Sequence, residues 1–462
     1  MKIAFIGAGS FIFARKLAAD LCSFDDLPAL DLALMDIDAG RLAVTEQVIG
    51  KLLAQTKRAI RVTATTNRLA ALEGASFVVA MYDPNGLDAR RREVMTCIAH
   101  GVPTAIGDTL GPAGVMKGVR TATLTLAIAQ DMERVCPDAL FMNYVNPMAM
   151  NCWIVNAGSR IRSVGMCHGL EHTRTLLAGF LGIPDHELEM DAAGINHMTW
   201  ILGLRHRGVD AYPELRKRLP QVRHIDPVRF AVMEATGYFV TESSFHTAEY
   251  LPYFRTHFKS LYVSGEHEPG YNTGMGYWGI ECIHPTTPQG GMIEPSIPLG
   301  WDIHVYERIH SKTWETVKRQ LLRDEAMTVK LSEEYGMRII HSQITGTPRT
   351  LSLNVPNRGY IPNLPDGATV EVPVTVDRTG LHPLPQPPLP EPCASLCRRN
   401  IEVQSEVVNA VLRQDPRAVF NAMLLDPLAG AAIDLDQMRT LYNALLTTDE
   451  GILPDWLAHA KR

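Results

Sequence analysis

Residues 2–24, KIAFIGAGSFIFARKLAADLCSF, leave the backbone few options. KIAFI is a short apolar run, two glycines follow one residue apart, and FARKLAADLCSF resumes with the 3.6-residue spacing of a helix that buries one face. The pattern dictates a buried strand, a tight turn and a helix. Gly7 tolerates the positive φ of such a turn, and Gly9 leaves bare backbone where the turn meets the helix. Ser10 and Phe11 open the helix, whose unpaired amides and dipole favour an anion such as a pyrophosphate. The third glycine of the full dinucleotide fingerprint is absent, so Gly7, Gly9, Ser10 and Phe11 form a nucleotide site only if the following segments agree.

The next segment agrees. DLALMDID is a second apolar strand ending in Asp36, where a carboxylate can accept hydrogen bonds from the adenosine ribose, which favours NAD over NADP. Asp36 also suits the N-cap of the helix in AGRLAVTEQVIGKLL, and the two roles are compatible. IRVTATT, ASFVVAMY, ALFMNYV and RSVGMC are further strand-like runs separated by helical stretches, an alternation that predicts a doubly wound parallel sheet. Ligands of such sheets lie beyond the carboxyl ends of the strands, which singles out Tyr82 to Asn85, Asn143 to Asn146 and Cys167 to Gly169. Asn85 and Asn146 join the NAD candidates on that ground.

A chain of 462 residues exceeds one comfortable core. We expect an N-terminal Rossmann unit over residues 1–168 and a C-terminal mixed α+β unit over residues 169–462. PLPQPPLPEP is expected to be a polyproline-like connection, since NIEVQSEVVNAVLRQDPRAVFNAMLLDP resumes as helices with apolar faces. The arrangement resembles the lactate and malate dehydrogenases, and an NAD-dependent hydroxy-acid dehydrogenase is one function open at this point.

A net charge of −6 disfavours nucleic acid and anionic membrane as main partners. No apolar run reaches the roughly 18 residues of a membrane span. The apolar start is broken by glycines and then by Arg15 and Lys16, so neither a signal peptide nor an anchor is expected. Eight scattered cysteines suggest reduced thiols and a cytoplasmic location, with Cys393 and Cys397 two free thiols rather than a bridge.

Several motifs then follow in one order: IGAGSF, GDTLGPAG, NYVNPMAM, the Cys167–His168 pair in VGMCHGLEHT, GINHMTW, HTAEYLPYF and LNVPNRGYIPNLPDGATVEVP. In these the chain resembles, nearly end to end, glycoside hydrolase family 4, the NAD- and metal-dependent glycosidases, especially the branch of α-galactosidases, α-glucosidases and α-uronidases. Ala113 in GPAG stands where the family commonly has glycine, and REVMTCIAHG stands where it often has an acidic pair; neither change removes a candidate ligand. His168 stands where the phospho-glycosidases of the family typically have asparagine, and Gly169 resembles the α-glucuronidase and α-galacturonidase branch.

Most glycosidases place two carboxylates across the scissile bond, and the NAD-dependent family departs from that scheme. The resemblance implies that NAD withdraws hydride from C3 of the sugar, which acidifies the C2 proton. A base removes that proton, the leaving group departs by elimination, water adds, and hydride returns. A divalent ion, Mn²⁺, polarises the C2 and C3 oxygens in this scheme. The resemblance also implies Cys167 and His197 as metal ligands, Asp108 as general acid, and Tyr250 or Tyr253 as base, with Tyr250 preferred. Asn146 is expected to hold the sugar near the nicotinamide, Arg92 to reach the substrate, and His168 to support the metal or bind the sugar.

Each residue taken alone has a plainer explanation: a buried thiol, a structural histidine, a turn aspartate, core tyrosines, and a solvated helix face for Arg90 to Arg92. The favoured reading is an α-uronide hydrolase acting as a homodimer or homotetramer, with Arg92, His168, His246 or Arg255 meeting the uronide carboxylate. A neutral α-galactosidase or α-glucosidase, the dehydrogenase, and a non-catalytic NAD-binding regulator are the alternatives.

Overall fold

The structure, a computed structural model, describes residues 1–56, 58–223, 225–254, 316, 319, 326, 327, 329–458 and 460. Strands β1 (Lys2–Ile6), β2 (Leu30–Met35), β3 (Ile60–Thr65), β4 (Phe77–Ala80), β5 (Leu140–Asn143) and β6 (Arg162–Gly165) pair in parallel in the order β3-β2-β1-β4-β5-β6. Helices α1 (Phe11–Cys22), α2 (Ala39–Thr56), α3 (Arg68–Leu72), α4 (Gly86–Ala99), α5 (Gly111–Val135) and α6 (Met148–Gly158) connect them. FVVA of β4 and LFMN of β5 are buried at every position, as continuous apolar strands of a sheet covered on both faces must be. β3, at the sheet edge, is only half-buried, and its sequence alternates accordingly. This is the doubly wound order, whose ligand crevice opens where the strand order reverses, between β1 and β4.

The C-terminal half extends the same sheet. After α7 (Gly169–Leu181) come β7 (Leu188–Ile195), β8 (Met198–His206), β9 (Val209–Asp210), α8 (Tyr212–Val222), α9 (Pro227–Thr236), β10 (Phe239–Val240) and α10 (Ser244–Tyr250). Then follow α11 (Gly336–Thr345), β11 (Arg349–Pro356), β12 (Thr369–Asp377) and β13 (Gly380–Pro383). The order β6-β11-β12-β7-β8-β10 is antiparallel throughout, with β9 beside β8 and β13 beside β12, so the described residues form one 13-stranded sheet. The join at β6 depends on Gly165, which pairs with Asn354: a Cβ there would stand 2.9 Å from Asn354 Cβ and 2.5 Å from Met148 Sδ.

Proline-rich PLPQPPLPEP leads into α12 (Glu391–Arg413), followed by α13 (Pro416–Leu425), α14 (Pro427–Ala432) and α15 (Leu435–Thr448). Cys393 and Cys397 are buried free thiols on α12. A buried ion triad ties these helices to the first half: the Arg120 guanidinium on α5 contacts Glu93 of α4 and, at 2.9 Å, Asp449 at the end of α15. No helix among the described residues is long and apolar enough to cross a membrane.

Candidate active site

The glycine turn behaves as its sequence requires. Gly7 takes φ of 89°, and a Cβ on it would stand 2.5 Å from the Tyr82 backbone nitrogen. Gly9 donates its N–H to Asp36 Oδ2 at 2.8 Å, and a Cβ there would meet that oxygen at 2.6 Å. The other Asp36 oxygen accepts the Asp38 N–H at 3.0 Å, so the carboxylate is locked at the end of β2 beside the turn. Ser10 caps α1 without a side-chain hydrogen bond, and no acidic residue stands in the first turn. The helix start thus keeps the positive potential that favours an anion. Phe11 is buried against Val48, so it offers a ligand only backbone. Asn85 precedes α4 in a left-handed conformation with φ of 65°.

Beyond the strand ends lies a buried group of acids, imidazoles and a phenol. Asp108, in the loop before α5, accepts hydrogen bonds from Asn146 Nδ2 at 2.9 Å and Thr109 Oγ1 at 2.8 Å. His246 Nε2 stands 3.6 Å from Asp108 Oδ1, and its Nδ1 stands 2.7 Å from Glu242 Oε2, so this imidazole bridges two carboxylates. His197 occupies the tight turn between β7 and β8 with φ of 61°. Its ring centroid lies 4.5 Å from that of His246, and its Nδ1 lies 3.1 Å from the Tyr250 hydroxyl. Tyr250 ends α10 and is 2% exposed.

The electrostatics follow from this packing. Burial alone would raise the Asp108 carboxyl, but the hydrogen bond and charge of His246, with Arg90 and His197, hold it well below the usual range. Burial would lower His246, yet Glu242 and Asp108 raise it to about 10. Burial lowers His197 to about 4, with His246 adding to the effect. Burial also pushes the Tyr250 phenol well above its ordinary value, and the Asp108 charge adds to that. At neutral pH the arrangement therefore holds two carboxylates, one imidazolium, one neutral imidazole and one protonated phenol. One ligand atom each from Asp108, His197 and His246 lies within 4.8 Å of the others, the one such group among the described residues.

Cys167 is not in that group of three. Its thiol is buried, accepts the Gly169 N–H at 3.4 Å, and is pushed well up by burial, then by Glu371 and Glu242. Gly169 is essential spacing: a Cβ would stand 2.7 Å from Glu242 Cγ and 3.4 Å from Cys167 Sγ. The Tyr335 hydroxyl meets the Cys167 N–H at 3.1 Å and also the Cys167 carbonyl. His168, at the start of α7, faces Glu334 Oε1 at 3.0 Å through Nδ1.

The structure thus brings together Asp108, Asn146, His197 and Tyr250, with Cys167 and His168 on the adjoining strand end. Tyr253 is 62% exposed and is not a buried base. Arg92 does not reach the site: it is exposed on α4, where its charge acts on Asp449. Two positions earlier on the helix, buried Arg90 donates to the Ile106 carbonyl at 3.1 Å and supports the Asp108 loop. Arg255 lies outside the described residues. Glu242, Glu249, Glu334 and Tyr335 escaped the sequence reading. Glu242 stands four residues before His246, a spacing that could have flagged the pair; Glu334 and Tyr335 are too far along the chain from Cys167 and His168 for any local signal.

Two family models account for most of the chain. Family 4 glycosyl hydrolase matches residues 2–183, and the family 4 glycosyl hydrolase C-terminal domain matches residues 192–429. The chain belongs to glycosyl hydrolase family 4. This family 4 hydrolase is 32% identical over 465 residues to an alpha-galactosidase of Bacillus subtilis, covering 98% of this chain and 99% of that one. It is 26% identical over 485 residues to an alpha-galacturonidase of Thermoanaerobacterium saccharolyticum, covering 99% and 97%. A crystal structure of a 6-phospho-alpha-glucosidase from gut microorganisms, in complex with NAD and Mn²⁺, aligns with TM-score 0.78 at 18% identity, covering 98% of this chain and 99% of that one. That last likeness is one of fold.

Proposed function

We propose that this family 4 hydrolase cleaves α-glycosidic bonds with NAD and a divalent metal, and that its substrate is a neutral α-galactoside. The observation that carries the reading is the convergence of Asp108, Tyr250 and neutral His197 beyond the strand ends of a sheet whose first turn is shaped for a dinucleotide. The residues fit both groups. The start of α1 has neither a side-chain cap nor an acidic residue in its first turn, and ligand atoms of the Asp108 carboxylate and the neutral His197 imidazole lie within 4.8 Å of each other. Oxygen and imidazole donors suit Mn²⁺, and the Cys167 thiol, which stands outside the group of Asp108, His197 and His246, would be a softer additional donor.

When bound, NAD supplies a reversible hydride acceptor for C3 of the sugar, and the metal supplies Lewis-acid polarisation of the neighbouring oxygens. The protein does the rest. Tyr250 is the base for the C2 proton once its own phenolic proton has left, and neutral His197 Nδ1, 3.1 Å from the hydroxyl, is placed to receive that proton. Asp108 faces the departing oxygen, and the proton it needs is held 3.6 Å away on His246. Asn146 orients the Asp108 carboxylate through the 2.9 Å hydrogen bond.

The choice of a neutral sugar rests on charge. Of the cations expected to meet a uronide, His168 is matched by Glu334 and His246 by Glu242 and Asp108, Arg92 is exposed on α4, and Arg255 lies outside the described residues. A uronide carboxylate would enter beside ionised Asp108, Glu242 and Glu334, and burying it unpaired costs several kcal/mol. The relative at 32% identity, named an alpha-galactosidase, supports the same choice. An α-galacturonide is the second reading, supported by the relative named an alpha-galacturonidase.

Hydrolysis of nitrophenyl α-galactoside, α-glucoside, α-galacturonide and α-glucuronide, with NAD, Mn²⁺ and a reductant present, tests the substrate. The α-galactoside is expected to exceed both uronides in kcat/KM by roughly tenfold or more. A uronide hydrolysed fastest would overturn the neutral assignment.

A further inference from the structure

Asp108 lies on the loop before α5, and Tyr250 lies on α10, far along the chain. A carboxylate joins the two elements. Glu249 is 2% exposed, and its Oε1 accepts three successive backbone N–H groups, from Ala105 at 2.6 Å, Ile106 at 2.8 Å and Gly107 at 3.2 Å. Its Oε2 also accepts the Gly107 N–H at 3.2 Å. Successive amides aimed at one point form a concave anion seat, and here the anion is the protein's own side chain. The seat is held in shape by Gly107, whose φ is 64° and whose Cβ position is blocked by Val94 Cγ2 at 2.6 Å.

The other end of the loop is also anchored from the C-terminal half. Asp426, the N-cap of α14, accepts the Gly111 N–H at 2.9 Å through one oxygen and the Ala429 N–H at 2.8 Å through the other. Asp108 therefore hangs between two buried carboxylates. Of these, Glu249 immediately precedes Tyr250 on the same helix, so the group that grips the Asp108 loop is one residue from the phenol.

We infer that Glu249 is a positioning residue that sets the spacing between Asp108 and Tyr250 by clasping the amides of residues 105–107. The inference rests on the reading of Asp108 as acid and Tyr250 as base. If Glu249 only stabilised the fold, its loss would slow every substrate alike. A positioning role acts through the acid, and protonation matters far more for an alkoxide leaving group than for nitrophenolate. Displacing a catalytic group by about 1 Å is enough to cost roughly 100-fold.

The test compares Glu249→Ala and Glu249→Gln in the full chain, supplied with NAD and Mn²⁺, on methyl and 4-nitrophenyl α-galactoside. With Ala, kcat on the methyl glycoside is expected to fall roughly 100-fold with little change in KM, while the nitrophenyl glycoside loses less than roughly tenfold. Gln keeps a carbonyl oxygen in the seat and should recover most of the loss. Amide hydrogen exchange at residues 105–107 needs no turnover, and is expected to quicken in the Ala variant and stay near wild type in the Gln variant. Should the Ala variant not fold, Glu249→Asp, too short to span all three amides, carries the same comparison. Equal losses on both glycosides, or unchanged exchange at 105–107, would overturn the inference. A wild type that cleaves neither galactoside sinks the functional reading instead, and the exchange data then still decide whether Glu249 holds the loop.

Discussion

Tyr250→Phe is expected to lower kcat on an α-galactoside by roughly 10²- to 10⁴-fold while leaving the fold intact. The ring is buried, and phenylalanine fills nearly the same space, so the change removes little besides a hydroxyl that lies 3.1 Å from His197 Nδ1. The buried phenol is pushed well above its ordinary pKa, by burial first and then by the Asp108 charge, so the chain on its own keeps the proton on Tyr250. A nearby cation shifts such a group toward its base form, which is why the account couples this residue to the metal. Tyr253→Phe is the control: it alters a solvent-facing ring and should leave kcat unchanged. Steady-state kinetics together with a thermal melt separate lost chemistry from lost folding. Unaltered turnover in Tyr250→Phe would remove the tyrosine from the mechanism.

The largest effect on stability is expected from Arg120→Leu, roughly 3–5 kcal/mol. Arg120 is the cation between Glu93 and Asp449, both fully buried. Burial already pushes Glu93 to about 8 even with Arg120 beside it. Without the guanidinium the two acids are left facing each other without compensation, and α4, α5 and the end of α15 lose their common tie. Arg134→Leu, on the exposed partner of Asp131, should cost less than about 1 kcal/mol. Urea midpoints of both variants check the contrast, and similar midpoints would show that the triad contributes no more than a surface pair.

The parallel strands were legible because strands buried on both faces are short continuous apolar runs, and helical stretches separate them. Periodicity carries no information on pairing between distant segments, so the sequence did not reveal that β11 lies against β6 or that both halves share one sheet. That join depends on the missing side chain of Gly165, seen only once Asn354 is known to face it. In the site, Asp108, Asn146, His197 and Tyr250 each sit in a motif with its own local reason to be singled out, and the fold brings them together. The Arg90 to Arg92 run misled for a simple geometric cause: successive helical residues point about 100° apart, so Arg90 turns inward and Arg92 outward. Glu334 and Tyr335 were invisible because they act on Cys167 and His168 through tertiary contact alone.

The central claim is that bond cleavage follows removal of the C2 proton by this chain's own base, with NAD returned unchanged. Hydrolysis of an α-galactoside in D₂O, with the released galactose analysed by mass spectrometry and NMR, tests it most directly. The account predicts galactose carrying solvent deuterium at C2 and no net change in the amount of NAD⁺. Galactose formed at full rate with only hydrogen at C2 would contradict it.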